Sequence, residues 1–293
     1  MTDARVWTLV AVVMTAFAAN SVIGRAALSG GGIGAADYAT VRFAAGAAVL
    51  LASAAARGGA RWPRRRGWAG AAGLGLYAYG FAAAYVTLDA GAGALILFGA
   101  VQVAMFAAAV VAGPTPRPRR WAGAGIALAG LAAIAWQGGA GAPDPAGAAL
   151  MAAAGLGWAV FTLAGRSATD PLAETAAGFA IVALAGIGWT LLAGLGPVTG
   201  RGLALAALSG GVTSALSYVL WYAVLPRLDA SAAGLAQLTV PVLAILGGAV
   251  LLGEAPGPRV WIACGAISFG VALGLVSPRR DWPRRGGRPR SGG

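Results

Sequence analysis

Residues 90–116 read AGAGALILFGAVQVAMFAAAVVAGPTP and contain no Asp, Glu, Lys or Arg. A helix needs about 20 apolar residues to cross the hydrocarbon core of a bilayer, so this stretch is long enough to span it. The same absence of charge recurs along the chain. Eight further charge-free stretches of 19 residues or more lie at 6–24, 67–88, 121–143, 145–165, 175–200, 202–226, 230–253 and 260–278.

A tenth apolar run, at about residues 36–56, carries Arg42. Only 10% of the chain is charged and 59% is hydrophobic, whereas a soluble domain is about 25% charged. Backbone polar groups in lipid must be paired within their own segment, which favours helices. Alternating ten-residue strands, which would indicate a barrel, are absent. The sequence therefore predicts an all-α integral membrane protein with ten transmembrane helices.

The arginines predict how these helices are oriented. The chain has no His, and its net charge is +12, a value that nucleic-acid binding would also explain. With the N-terminus inside, however, 17 arginines fall in inside segments and 3 in outside loops, which is the bias that orients membrane proteins. We therefore expect an inner-membrane protein with both termini cytoplasmic and no nucleic-acid partner. The basic tail at 278–293 is expected to be disordered and to contact anionic lipid.

The chain repeats itself at a shift of 140 residues. Residues 88–130 align with residues 228–270 without a gap, so that Leu88-Asp89-Ala90 meets Leu228-Asp229-Ala230 and Trp121 meets Trp261. The unit holds five helices, an odd number, so the second copy enters the membrane from the opposite side. The predicted repeats are 1–137 and 146–277. Inverted repeats of this kind place a substrate site near the bilayer midplane in many secondary transporters.

With these features the chain resembles the EamA-type drug/metabolite transporter superfamily. The second copy carries the clearest motifs, at Tyr218–Trp221, Leu228–Ser231 and Val240–Val242. The first copy matches with Asn20–Arg25 and Arg42. The resemblance implies ten helices in two repeats and the export of a small amphipathic or aromatic metabolite. It does not imply a cofactor.

Arg42 is the one charged residue deep inside a predicted span. It lies about 9 Å below the outer end of a helix that starts at Ala36. Its side chain either extends to the outer interface or faces a cavity, where it would attract an anionic substrate group or pair with Asp37 or a carbonyl. Placing Arg at a span centre costs about 2.5–3.5 kcal/mol on insertion scales, so a role is expected.

Other candidate substrate contacts are amides and aromatic rings within spans. The amides Asn20, Gln102 and Gln237 either line a cavity or bond across helices. The aromatic candidates are Phe81, Trp158, Tyr218 and Trp221, and their alternative is a membrane-interface belt. Tyr77, Phe81 and Tyr85 share one face of the third helix, and Tyr218, Trp221 and Tyr222 share one face of its repeat partner.

Two residues are predicted to be structural or to take part in gating. Pro241 removes a backbone hydrogen bond in mid-span and can kink the ninth helix. Glu254 follows the same helix, and its counterpart in the first copy is Pro114. Small-residue faces such as Gly125–Ala129 and Ala266–Gly270 predict close helix packing within the fold or in a homodimer. The single Cys264 and the absence of His predict no metal site.

The sequence thus predicts a secondary transporter whose partners are a small-molecule substrate and the lipid bilayer, and the resemblance implies that it is an exporter. An integral-membrane enzyme would need clustered His, Asp or Glu at one face. A channel or a structural membrane protein would make the repeat incidental. All nine acidic residues fall in loops or at span ends, so the sequence offers no simple proton relay at the midplane.

Overall fold

The computed structural model describes residues 3–57, 65–112, 118–135, 144–255 and 257–275. These residues form twelve α-helices, two of which are joined by a π-helical turn at Ser209–Ser214. The helices are α1 (Asp3–Leu28), α2 (Ala35–Ala55), α3 (Arg65–Ala84), α4 (Ala90–Val111), α5 (Pro118–Ala135), α6 (Pro145–Gly165), α7 (Pro171–Ala193), α8 (Gly200–Leu208), α9 (Ala215–Val224), α10 (Ala230–Gln237), α11 (Thr239–Leu252) and α12 (Pro258–Leu275).

The twelve helices make ten rods. The α8 and α9 helices form one continuous apolar stretch, Gly200–Arg227, and most of α10 joins α11 in another, Ala232–Leu252. These two stretches and five single helices, α1, α2, α4, α6 and α7, are long and apolar enough to cross a membrane. The remaining rods, α3, α5 and α12, have 20, 18 and 18 residues and are rich in Ala and Gly. Among the described residues the predicted all-α membrane fold is confirmed.

In three of the five counterpart pairs, the helices of the two halves pack side by side and run antiparallel. On α5 and α12, Gly130 lies against Ala263, whereas Gly270 lies against Gly123. The α2–α7 and α4–α10/α11 pairs show the same reversal, with Gly46 at Phe179 and Gly186 at Thr40, and with Gly91 at Ile245 and Gly234 at Gln102. Antiparallel counterparts are what the inverted-repeat prediction requires. A direct superposition of the two halves stays a prediction.

Small residues make these approaches possible. A Cβ on Gly270 would lie 2.5 Å from the carbonyl oxygen of Gly123, so the two backbones are in direct contact. The faces around Gly130 and Gly270 are thus used for packing within the chain. The neighbouring Gly125 and Ala129 are exposed, and a homodimer through them stays a prediction.

Contacts between loops sort the helix ends onto two faces. On one face, Ile33 forms an isolated β-bridge with Val198, and Arg25 pairs with Asp89 at 3.2 Å. On the other face, Arg120 pairs with Asp229 at 2.6 Å. Each contact joins two loops that the ten-helix arrangement places on the same side of the membrane. The Ile33–Val198 and Arg25–Asp89 contacts join outside loops, and the Arg120–Asp229 contact joins inside loops. Which face is cytoplasmic stays a prediction, and the tail at 278–293 lies outside the described residues.

Candidate functional site

Arg42 lies at the centre of the most polar buried region of the bundle. Its side chain has no exposed surface, so it points into the protein and does not extend to the interface. Its Nε donates to Ser214 Oγ at 3.0 Å, and its Nη2 donates to the hydroxyl groups of Tyr77 at 3.0 Å and Tyr218 at 2.9 Å. The partners come from α3, the π-helical turn and α9, so one guanidinium joins both halves of the chain.

Aromatic rings surround the same guanidinium. Its carbon lies 4.9 Å from the ring centre of Phe81 and 5.4 Å from those of Phe43 and Tyr77. Such cation–π contacts are strongest when both groups are shielded from water. Predicted candidates Arg42, Phe81 and Tyr218 therefore meet in one cluster, together with Tyr77.

Two buried polar atoms in this cluster have no hydrogen-bond partner in the described part of the chain. They are Nη1 of Arg42 and the hydroxyl of Tyr38. The two residues are four apart on α2, so their side chains lie on the same face of that helix. An unpaired buried donor costs about 1–3 kcal/mol, and more when it is charged. The unpaired donors therefore mark where a ligand acceptor would be favourable.

The carboxylates whose side chains the structure describes are all engaged at helix ends. Asp37 accepts hydrogen bonds from Gly196 N at 2.9 Å and from Thr190 Oγ1 at 3.5 Å, so the alternative in which it pairs with Arg42 is not what the structure shows. The other engaged acids are Asp89 with Arg25, Asp144 with Gly147 N, Asp170 with Leu172 N, Glu174 with Thr169 N, Asp229 with Arg120, and Glu254 with Ala90 N. None of these acids is a hydrogen-bond or ion-pair partner of Arg42.

Asn20 has an interhelical role in this structure. Its Oδ1 accepts hydrogen bonds from Ser209 at 2.8 Å, Thr213 at 2.5 Å and Ser214 at 3.3 Å, and its Nδ2 donates to the carbonyl of Thr213. The amide thus holds α1 against the π-helical turn. Because Ser214 also receives the Arg42 bond, Asn20 acts on the site through its neighbour.

The π-helical turn allows α2 to approach closely. A Cβ on Gly210 would lie 1.8 Å from the carbonyl oxygen of Arg42, a distance that no real side chain adopts. π-helical turns are rare and often occur at functional sites. Here the turn places the hydroxyl of Ser214 beside the guanidinium of Arg42.

The predicted residues Trp158, Tyr218 and Trp221 form an aromatic wall together with Phe17. The ring of Trp158 lies 5.0 Å from that of Phe17 and 4.8 Å from that of Tyr218, and Phe17 lies 6.0 Å from Trp221. These rings are 5% exposed or less, so they do not form an interfacial belt. The wall uses rings from α1, α6 and α9.

The polar groups of the two tryptophans and of the two remaining amides differ in whether they have hydrogen-bond partners. Trp158 Nε1 donates to Gln237 Oε1 at 2.5 Å, and Trp221 Nε1 donates to Thr162 Oγ1 at 3.3 Å. Gln102 is fully buried beside Gly234, and neither its amide oxygen nor its amide nitrogen has a partner among the described residues. Gln237 therefore supports the aromatic wall, whereas Gln102 carries unused hydrogen-bonding capacity.

Pro241 lies in the first turn of α11, and Glu254 lies two residues beyond its last residue. The ninth rod breaks at Leu238, between α10 and α11, because Pro241 has no N–H to bond the carbonyl four residues earlier, at Gln237. Glu254 Oε1 accepts a hydrogen bond from Ala90 N at 3.1 Å and so caps α4. Burial raises the pKa of Glu254, and the backbone hydrogen bond partly opposes this rise. Gating by either residue stays a prediction.

Sequence reasoning missed four contributors to this site. Tyr77 and Ser214 bond Arg42, Tyr38 offers an unpaired hydroxyl, and Phe17 is central to the aromatic wall. Three of them had a signal. Tyr77 shares one face of the third helix with the predicted Phe81. Tyr38 precedes Arg42 by one helical turn, and Phe17 matches Trp158 at the shift of 141 that relates Gly24-Arg25 to Gly165-Arg166.

Comparison with known proteins identifies the family. A family model described as the EamA-like transporter family matches residues 145–276, which include α6 through α12. The chain belongs to the EamA-like transporter family. A curated relative, named Uncharacterized protein PA1977, from Pseudomonas aeruginosa, is 44% identical over 280 residues that cover 95% of this chain and 97% of the relative.

A solved structure described only as "Crystal structure of protein" has the same fold as this EamA-like chain. The two share 25% sequence identity and a TM-score of 0.72, and the match covers 92% of this chain and 98% of the other. Membership of the family makes this chain a multi-pass membrane protein of a transporter family.

Proposed function

We propose that the protein is a secondary transporter that exports a small metabolite by alternating access around the site centred on Arg42. The observation that carries the proposal is a fully buried guanidinium that no described carboxylate pairs with, and that keeps one unpaired nitrogen. Buried charges are normally paired. An isolated buried cation between the two halves of a transporter is a natural position for a substrate group.

Matched contacts on the two faces support alternating access. On the predicted outer face, Arg25 of α1 donates to the carbonyls of Tyr85 and Val86 and pairs with Asp89. On the predicted inner face, Arg166 at the end of α6 donates to the carbonyl of Leu228, and the next residue, Asp229, pairs with Arg120. Burial lowers the pKa of Arg166, and Asp229 partly opposes this.

These two arrangements occupy corresponding positions of the repeat. Arg25 corresponds to Arg166 at a shift of 141, and Asp89 corresponds to Asp229 at a shift of 140. Each arginine ties the end of the first helix of its half to the loop before the fourth helix. A carrier that opens to each side in turn needs one such closure at each face, and each closure must be reversible. Partly exposed ion pairs suit this because they contribute only about 0–1 kcal/mol each.

Proteoliposome counterflow tests the proposal. Vesicles loaded with a candidate metabolite should take up labelled metabolite with saturable kinetics, which a channel or a structural protein does not produce. Arg42→Ala should abolish this uptake while the protein remains folded. Arg42→Lys should retain part of the uptake, because lysine keeps the positive charge but lacks the planar guanidinium with its several N–H donors.

Asp170→Asn serves as a matched control, because this residue caps α7 at the surface and not at the site. It should leave uptake unchanged. Wild-type uptake by Arg42→Ala would refute the assigned site, and the absence of saturable counterflow across a broad metabolite panel would refute the transport function. Net export is tested separately by comparing efflux from intact cells with uptake into inverted membrane vesicles.

A further inference from the structure

The positive charge of Arg42 is not balanced by a described carboxylate at the central site. The guanidinium of Arg42 is held by three hydroxyl groups, from Tyr77, Tyr218 and Ser214. Each of them is a neutral group at ordinary pH, so none cancels the charge. The seven acids with described side chains are all bonded at helix ends, as shown above. The site therefore has a net positive charge when it is empty.

The unpaired atoms at the site are donors. Nη1 of Arg42 is a hydrogen-bond donor only, and the hydroxyl of Tyr38 can donate as well as accept. Both are buried and have no partner at hydrogen-bonding geometry in the described structure, and the hydroxyl of Ser209 lies near that of Tyr38. Tyr38 and Arg42 lie four residues apart on α2 and are both buried, so they are neighbours on one face of that helix. A carboxylate or another oxyanion would accept from both and would cancel the charge.

The usual positions for an ammonium group are already occupied. The aromatic faces nearest the site, those of Phe43, Tyr77 and Phe81, already receive the guanidinium. Deeper in the site, Phe17, Trp158 and Tyr218 cover one another through edge-to-face contacts at 4.8–5.6 Å between ring centres. Among the described residues, an ammonium group would find no carboxylate partner at Arg42, and it would be repelled by the guanidinium.

We infer that the substrate is a net monoanion, a metabolite with one carboxylate or similar acidic group on an apolar or aromatic body, and that zwitterions and cations are excluded. The inference rests on the proposed transport function and assigns the charge of its substrate. In the loaded site the anion accepts from Arg42 Nη1 and the hydroxyl of Tyr38, and the wall formed by Phe17, Trp158 and Trp221 packs against the body. Gln102 contributes a neutral amide and so does not alter the charge balance.

Three matched series of probes test the charge assignment. Each series keeps one body and changes its charge: indole-3-propionate, tryptophan and tryptamine; 3-phenylpropionate, phenylalanine and phenethylamine; 4-methylpentanoate, leucine and isoamylamine. Each probe is measured at neutral pH on the purified full-length protein, by its thermal stabilisation and by its inhibition of counterflow. We expect the anion to bind at least about tenfold tighter than the zwitterion of the same body in the series that fits best.

Variants separate the charge from the hydroxyl. Arg42→Gln should remove the preference for the anion, because the amide still donates a hydrogen bond but carries no charge. Tyr38→Phe should weaken anion binding by about threefold to tenfold and keep the order of the series. Tyr79→Phe is the matched control, because this half-buried tyrosine bonds Thr40 and the carbonyl of Val182, away from the guanidinium, and should leave the preference intact. If Arg42→Gln does not fold, the probe series on the unmodified protein still tests the charge assignment, and Tyr38→Phe tests the contact between the anion and this hydroxyl.

The outcomes are distinct from those of the transport test. Tighter binding of a zwitterion or a cation than of the matching anion overturns the charge assignment, and so does the absence of a saturable effect from every anion. If the protein nevertheless shows saturable counterflow of a zwitterion or a cation, the proposed transport function stands and only the charge assignment fails.

Discussion

The contact between Gly210 and the backbone of α2 gives the sharpest test of the site. A Cβ at this position would lie 1.8 Å from the carbonyl oxygen of Arg42 and 2.7 Å from its carbonyl carbon. Because real Cβ atoms stay beyond 3.0 Å, Gly210→Ala forces the π-helical turn and α2 apart by about 1.2 Å or more. Both sides of the clash are backbone, so no side-chain rotation relieves it.

The expected loss of stability in Gly210→Ala follows from the same contact. Overpacking costs about 1–3 kcal/mol when side chains can adjust, and a backbone clash belongs at the upper end or above it. We therefore expect Gly210→Ala to lower the free energy of unfolding by about 3 kcal/mol, or about 100-fold in the folded-to-unfolded ratio. The displacement also lengthens the 3.0 Å bond from Arg42 to Ser214 beyond hydrogen-bonding distance. Any protein that still folds should have lost transport.

The next residue supplies the control. A Cβ on Gly211 would lie 3.5 Å from a methyl group of Val49, which is an ordinary contact. The two glycines share the same π-helical turn, so any general effect of alanine on that turn appears in both variants. The assay is thermal unfolding of the detergent-solubilised protein, followed by counterflow in proteoliposomes. If Gly210→Ala is as stable and active as Gly211→Ala, the close approach of the turn to α2 is refuted.

Three further predictions concern the faces and the buried amides. Asp229→Asn should accelerate amide hydrogen exchange in its own loop and leave the loop of Asp89 unchanged, and Asp89→Asn should do the reverse; equal effects on both loops would contradict independent closures. Because the pKa of Glu254 is raised, the folded state holds the proton of this carboxyl group more tightly than the unfolded state. The protonated group therefore contributes to stability below about pH 4.5, and this contribution is lost as the pH rises through the raised pKa. Glu254→Gln should remove this part of the pH dependence in thermal unfolding, and an unchanged profile would contradict the burial of the carboxyl group. Gln102→Leu should stabilise the substrate-free protein by about 1 kcal/mol because it removes two unpaired polar atoms, whereas Gln237→Leu should destabilise it by leaving an indole N–H unpaired; thermal unfolding that ranks the two the other way would refute the hydrogen-bond assignments.

The fold could be predicted from the sequence because lipid imposes a simple rule. Charge is excluded from the hydrocarbon, so charge-free runs locate the helices, and the arginine bias assigns loops to sides. The structure joins Arg25 with Asp89, and Arg120 with Asp229, and these contacts obey the same assignment. The break in the ninth rod also follows from one residue, Pro241, whose missing N–H is visible in the sequence.

The site itself was less accessible to sequence reasoning. Arg42 stands out as a charge within a span, but its direction depends on partners 35 and more than 170 residues away, Tyr77, Ser214 and Tyr218. Hydrogen bonds across helices leave no periodic signal along the chain. Asn20 illustrates the same limit, because its identity is compatible with cavity lining, whereas the three hydroxyl groups that satisfy it come from a π-helical turn that propensities do not predict.

The two repeats carry matching residues at the membrane faces but not at the central site, and the proposed mechanism explains this difference. At the faces the halves match, since Arg25 and Asp89 have Arg166 and Asp229 as counterparts. At the centre they do not, since the residue 140 positions after Arg42 is Val182. Two closures must perform the same task on opposite sides of the membrane, which favours equal residues in both copies. A single substrate must be held by one charge in both states, and a second buried arginine would repel the first. The repeat is therefore expected to stay alike at the faces and to diverge at the guanidinium, as these residues do.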